Sequence, residues 1–304
     1  MKNTDFHEWA LSIENEIIPK LNLEISYSGR RTTGSDQFIV ANVPLPGPGA
    51  IQQRRPNPNF GRFSILTAGG SSLSNSLAAT LRKRLSLGFS VDASYNYSRM
   101  ISTSSRSDPS NPRDLRSEKA PSSNPLQQFD LSFICDLPIG RGRAFEMEWA
   151  GPLRPLIEGW RLSGIATYRT GYLFHPRLPG DFNNDGVRGD RPDRIAPGSL
   201  SGSERSIDRW FAVEAFQYPA AYGFGNSGKN ILVGPGRRNW DISFVKKAQV
   251  SRDGDTLEVR VQLFNAFNHV NFNNPNTSVG TSSFGKIFGA NRSREIEIAV
   301  KYMF

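Results

Sequence analysis

The sequence predicts an all-β fold, an antiparallel transmembrane β-barrel, of which these 304 residues supply a part of about nine to eleven strands. Three observations carry that prediction. Apolar and polar residues alternate with period two in nine segments, the mark of strands whose two faces meet different surroundings. The segments run about nine to fourteen residues, which suits a tilted bilayer crossing better than the five or six usual in soluble sheets. Their connections alternate between tight turns and long polar stretches, as expected of a barrel with one trimmed rim and one looped rim.

The elements follow in order. A segment at roughly 9 to 17 reaches a tight turn at Ile18-Pro19-Lys20, then a clear strand at 21 to 27, where Leu21, Leu23, Ile25 and Tyr27 oppose Asn22, Glu24 and Ser26. A long outer loop is expected over 31 to 60. The apolar stretches Phe38 to Val43 and Phe60 to Thr67 fit only as a pair, either one more hairpin or strands extended above the membrane. Strands at 75 to 85 and 87 to 97 flank a turn at Leu85-Ser86. The second sets Leu87, Phe89, Val91, Ala93, Tyr95 and Tyr97 against Gly88, Ser90, Asp92, Ser94 and Asn96. An outer loop at 102 to 125 leads to a strand at 129 to 137, and a connection at 138 to 157 leads to one at 160 to 168. The longest outer loop, 172 to 237, precedes a weaker strand at 239 to 247. A turn at Arg252-Asp253-Gly254-Asp255 then gives 257 to 263, with Leu257, Val259, Val261 and Leu263 opposite Glu258, Arg260 and Gln262. The last outer loop, 268 to 293, ends in the terminal strand.

That strand, REIEIAVKYMF, carries Ile296, Ile298, Val300, Tyr302 and Phe304 on one face and Glu295, Glu297 and Lys301 on the other. It is similar to the insertion signal read by the outer-membrane assembly machinery. The expectation is therefore a bacterial outer-membrane location, with membrane lipid and that machinery as partners. With Phe304 at the periplasmic end, nine crossings place the first strand's start, near Phe6, outside the cell. A complete bacterial barrel has an even strand number with both ends in the periplasm, so further strands are expected N-terminal to this chain. The opening MKNTDFHEWALSIE lacks the features of a secretory signal, in keeping with a start part-way through the protein. Trp9, Tyr95, Tyr97, Trp160, Tyr168, Trp240, Tyr302 and Phe304 fall near strand ends, where interfacial aromatic girdles sit.

Composition removes other classes. No run of about 18 apolar residues offers a membrane helix, and a polar average does not argue against a barrel, since only alternate residues meet lipid. The net charge of +9 comes from scattered Lys and Arg, with Arg82-Lys83-Arg84 and Arg237-Arg238 at strand ends, rather than from a basic stripe interleaved with aromatics, so no nucleic-acid partner is expected. Cys135 is the single cysteine and lies in register with Phe129, Leu131 and Phe133 as an apolar filler. His7, His175 and His269 are scattered, and neither a nucleophile elbow nor a phosphate loop is present, so no enzyme activity is expected.

Several runs then resemble a known family. FGNSGKNILVGPGRRNWDISFVKK (224 to 247), LEVRVQLFNAFNHVNFNNP (257 to 275), FGKI (284 to 287) and the terminal strand resemble the C-terminal barrel of TonB-dependent outer-membrane receptors, specifically the Oar-like group. So do PLPGPGAIQQRRPNPNFGRFSI (44 to 65), LRKRLSLGFSVDASYNYSRMI (81 to 101) and IEGWRLSGIATYRTGYLF (157 to 174). The FN-x-FNH-x-NF run at Phe264 to Phe272 and the GPG-x-x-N run at Gly234 to Asn239 are its most specific parts. The resemblance implies a 22-stranded barrel filled by an N-terminal plug and energised through TonB. Plug, TonB box, signal peptide and about half the strands have no counterpart here, so the missing barrel half, the plug and, through them, TonB are the implied partners. A non-transporting surface or adhesion barrel is the alternative, and a soluble β-sandwich binding module a more distant one.

One loop motif carries chemistry. In GDFNNDGVRGDRPDR, residues 180 to 194, Asp181, Asn183 and Asp185 followed by Gly186 reproduce the opening of a calcium loop, in which alternate side-chain oxygens wrap a hard cation. The closing Glu is absent. Position twelve is Pro192, so Asp190 or Asp193 would have to substitute. An Asx-rich turn held by side-chain to backbone bonds is the other reading.

Overall fold

The computed structural model describes residues 3–103, 109–139, 157–250 and 255–304. Nine long strands form one antiparallel sheet in sequence order: β1 (Asp5–Ile18), β2 (Leu21–Ala41), β3 (Phe63–Ser86), β4 (Phe89–Ser102), β5 (Gln127–Asp136), β6 (Trp160–Arg169), β7 (Arg237–Gln249), β8 (Thr256–Phe264) and β9 (Glu295–Met303). Each of the nine segments with period-two alternation became one strand. The sheet is not closed on itself among the described residues: β1 and β9 are its edges.

Register shows why alternation survives across the wall. Ile25 pairs with Ala79 and Ala79 with Tyr95, then Tyr95 with Phe129 and Phe129 with Tyr168. Farther along, Ile242 pairs with Leu263 and Leu263 with Ile296. One face is thus apolar on every strand, and it is exposed: Leu11 and Ile13 are each 64% accessible and Ile298 72%. Large apolar residues in rows across a sheet, interrupted by charge only toward the strand ends at Arg238 and Lys246, would aggregate in water, and hydrocarbon is the solvent that suits them. Cys135 sits in this row, opposite Phe89 and Leu162. At two places an aromatic ring lies across a glycine of the neighbouring strand. A Cβ on Gly29 would stand 2.1 Å from Trp9, and one on Gly164 would stand 2.7 Å from Phe133.

The opposite face is polar and internally bonded. Arg82 pairs with Asp92 at 2.9 Å, Arg161 with Asp136 at 2.7 Å, and the Thr167 hydroxyl donates to Asp130 at 3.0 Å. It borders an open groove of about 760 Å³ lined by Arg82, Asp92, Asp241 and Arg260 together with apolar Ile134, Ile165 and Val245.

Two expectations at the strand ends change and two are made definite. The loop expected over 31 to 60 begins eleven residues late, because β2 runs on to Ala41 and β3 starts at Phe63. Of the two options for the paired apolar stretches, the strands extend above the membrane, with Phe38 opposite Leu66 and Ile39 opposite Ile65. The turn between β3 and β4 is Leu87-Gly88, not Leu85-Ser86, and Leu87 leaves the strand: both residues have positive φ, 51° and 75°, the two-residue hairpin geometry that follows strand twist. The first turn is Pro19-Lys20, with Lys20 at φ 72°. The expected turn at 252 to 255 and the connection at 138 to 157 fall largely outside the described residues.

The apolar core is not in the wall. Among the described residues, every buried apolar side chain except Ala166 belongs to the outer connections. Phe174, Phe211, Ala212, Ala215, Phe216 and Leu232 form one cluster, against which Trp210 and Phe284 pack. The Phe211 and Phe284 rings meet edge to face at 5.1 Å, as do those of Phe211 and Phe216 at 5.9 Å. Short two-residue ladders brace the cluster: Leu173–Phe174 against Leu232–Val233, and Asp193–Arg194 against Phe216–Gln217. The outer connections make a compact layer resting on the strand tops, stabilised in water by the burial that the lipid-facing wall does not need.

Candidate functional site

The outer layer is the part of the molecule built to hold specific geometry. Its floor is set by the asparagines of the FN-x-FNH-x-NF run. Asn265, buried and at φ 47°, donates through its amide to the carbonyls of His269 and Arg292 and accepts from the His269 N–H. Asn271, also buried, accepts from the Arg238 N–H at 2.7 Å and donates to the Arg238 carbonyl at 2.9 Å, in place of a ladder partner for β7. These side chains stand in for backbone where the strand ends, so the run is architectural. His269 takes part through its backbone alone among these contacts. The GPG run works by close approach: a Cβ on Gly171 would fall 1.8 Å from the Gly234 carbonyl oxygen, and one on Gly234 would fall 2.0 Å from Asn274.

At the centre of the layer is a buried charge group that the sequence did not announce. Glu118, on a single helical turn at Leu115–Glu118, accepts from the Arg191 guanidinium at 2.7 Å and from the Ser110 N–H at 2.9 Å, and lies 3.6 Å from Lys229. The side chains of Glu118 and Arg191 are 2% and 5% exposed. Arg191 also donates to the Ser227 carbonyl at 2.8 Å. This group joins the 109–125 connection to the 172–236 connection. His175 sits nearby, its ring Nδ1 3.3 Å from the Asn230 N–H, while the Asn230 amide donates to the Pro121 carbonyl at 2.8 Å. Burial, followed by the charge of Arg177, pushes the His175 ring down to about 4, so it is neutral at physiological pH.

The acidic turn lies beside that group. The Asp181 carboxylate accepts from the N–H groups of Asp185 at 3.0 Å and Gly186 at 2.7 Å. The Asn183 oxygen accepts from Asp185 N–H, and Asp185 Oδ1 from Val187 N–H. Asp190 closes the turn: one oxygen accepts from Phe182 N–H at 2.7 Å, the other from the Asn183 amide at 2.9 Å. Asn184 and Gly186, at φ 57° and 86°, give the sharp bend. Burial raises Asp185 and Asp190 to about 6 each, with the neighbouring carboxylates adding to the shift. The structure thus brings together Asp181, Asn183, Asp185 and Asp190. Asp193 stands apart, its Oδ1 accepting from Asn226 N–H at 2.9 Å in the second ladder. Among the described residues, no three Asp, Glu, His or Cys side chains are gathered in a ready-made metal cage.

Ile296, Ile298, Val300 and Tyr302 occupy the lipid-facing row of the edge strand β9, all more than half exposed, with Phe304 just beyond its end.

A polar-lined sheet with a lipid-facing outer row, roofed by packed loops, defines an outer-membrane barrel. The chain belongs to the outer membrane beta barrel domain family, whose model matches residues 1–297. That places it in the outer membrane. Among solved structures it is similar to the outer membrane transporter YddB from Escherichia coli, at 8% identity and a TM-score of 0.48 over 99% of this chain and 33% of that one. It is similar also to P. aeruginosa FpvA bound to heterologous pyoverdines, at 12% identity and a TM-score of 0.45 over 97% of this chain and 26% of that one. The chain therefore spans a third or less of the length of these two structures. No curated protein matches it in sequence.

Proposed function

We propose that the chain is the wall and the outer capture surface of a TonB-dependent transporter, with the GPG and FN-x-FNH-x-NF runs pointing to the Oar-like group. The observation that carries this reading is the pairing of an inner wall that sets Arg82, Asp92, Asp241 and Arg260 around an open groove of about 760 Å³ with an outer layer that has its own buried apolar core. A passage needs the first and selective capture needs the second. On this reading the lumen is sealed by a plug and energy arrives through TonB from elsewhere in the protein. The same reading gives β9 a second role, as the edge strand presented to the assembly machinery through Ile296, Ile298, Val300, Tyr302 and Phe304.

The test is uptake by cells expressing the full-length gene, with and without a functional TonB, offered labelled ferric siderophores, cobalamin and oligosaccharides. Accumulation that requires TonB is the expected result. Accumulation unchanged by loss of TonB, or none from the panel, overturns the proposal.

A further inference from the structure

We propose that the turn from Asp181 to Asp190 is a calcium site that fastens three outer connections to one another. The carboxylate and amide groups of the turn are nearly all occupied by hydrogen bonds, with one exception. Asp185 is fully buried, and its Oδ2 has no hydrogen-bond partner. A buried carboxylate oxygen without a donor is a costly arrangement that proteins rarely leave in place. The Arg113 charge favours the ionised carboxylate without a hydrogen bond to Oδ2. Arg54 and Arg62 donate to the carbonyls of Asn184 and Gly186. Arg113 donates to the Val43 carbonyl, and Arg191, adjacent to Asp190, is committed to Glu118.

What surrounds Asp185 fits a hard cation. Asp181 and Asp190 are close enough to oppose its ionisation, and with the Asn183 amide oxygen the donors are all oxygens, those of 181, 183 and 185 at alternating positions, which suits calcium and disfavours zinc or copper. Gly186 holds the sixth position of the motif, where the bend demands positive φ. Because the carboxylates are not already gathered into a cage, binding must draw an oxygen of Asp181 and of Asp190 inward from the backbone. That cost sets the affinity in the weak range of extracellular calcium modules, a Kd of about 10⁻⁴ to 10⁻³ M.

The turn's contacts say what the ion would do. Asn183 accepts from the Gly47 N–H at 3.2 Å, and the Asn184 amide donates to the carbonyls of Gly47 and Gly49 at 2.8 and 2.9 Å, so the turn grips the 42–62 connection. Through Asp190 and its neighbour Arg191 it is joined to Glu118 of the 109–125 connection. Calcium would rigidify all three, whatever the barrel carries.

The experiment uses the full-length protein in detergent micelles, stripped with chelator and titrated calorimetrically with calcium chloride, with magnesium chloride in parallel. Asp185→Asn and Asp190→Asn are compared with Asp193→Asn, each verified as folded by heat-modifiable mobility on a gel. Saturable calcium binding that weakens at least tenfold in D185N and in D190N but not in D193N is expected, together with calcium-dependent protection of residues 42–62 from trypsin in the wild type only. Absence of saturable binding, or binding that survives D185N and D190N, overturns the proposal.

Discussion

Replacing Glu118 by Gln tests whether the outer layer is held by its buried charges or merely decorated by them. Gln keeps an oxygen for the Ser110 N–H but removes the charge facing Arg191, whose side chain is 5% exposed and which would retain neutral carbonyl partners at Ser227 and Ser117. Lys229, 3.6 Å from the same carboxylate, loses its counter-charge as well. Breaking one side of a buried ion pair costs about 3 to 5 kcal/mol, since a desolvated cation is left behind. At about 1.4 kcal/mol per factor of ten, the opened layer becomes roughly a hundred to a few thousand times more populated. Native-state hydrogen exchange at the amides of 172–178 and 210–232 reads that change directly, while the β5–β8 amides should be unaffected because the wall does not depend on the group. E118Q combined with Arg191→Met should recover most of the loss, since an apolar replacement of both partners leaves no orphaned charge. Exchange in E118Q within threefold of wild type would refute the assignment of the layer's stability to this group.

Three further outcomes are expected. His175, at about 4 in the folded layer against an ordinary 6.5, contributes stability that is fully present above pH 6.5 and is lost as pH falls toward 4, by up to about 3 kcal/mol; the loop opening free energy, taken from exchange rates corrected for their intrinsic pH dependence, should fall at pH 5 in the wild type and stay flat in His175→Asn. Gly29→Val forces the Trp9 ring off its seat and should destabilise the folded barrel by about 1 to 3 kcal/mol in urea titration, and combining it with Trp9→Ala should cost less than the sum of the two. Leu87→Asn, followed by Gly88 in a turn where both residues have positive φ, should raise barrel stability by about 0.5 to 1 kcal/mol, as seen in a shifted urea midpoint; no gain would mean that the exposed Leu87 is anchored by lipid.

The wall was legible in the sequence because its physics is local. A strand with lipid on one side and a polar lumen on the other must alternate, and register with its neighbours adds nothing that alternation has not already declared. Boundaries were less legible where alternation continued past its cause. Leu87 kept the phase of β4 while belonging to the turn, and the upper parts of β2 and β3 looked like either a new hairpin or an extension. The outer layer was opaque for the opposite reason. Glu118 and Arg191 are 73 residues apart and meet through irregular chain, so no period marks them. Its apolar anchors Phe174, Phe211 and Phe216 lie far apart within one long connection and meet Phe284 of another, with no shared spacing. The acidic turn was visible as a motif, and the structure gathered four of its five expected residues, leaving Asp193 to the neighbouring ladder.

The placement of the buried apolar core in the loops has a practical side. Phe174, Phe211 and Leu232 of the long 172–236 connection, with Phe284 of the last one, are the core of a miniature water-soluble protein shared between connections. An outer loop lifted from this barrel and grafted on another would arrive without the surfaces that shape it, and would unfold the donor's remaining loops in departing. The useful unit of exchange is the whole roof, cut at the tops of β2 to β9, and the wall beneath can be treated as a scaffold indifferent to which roof it bears.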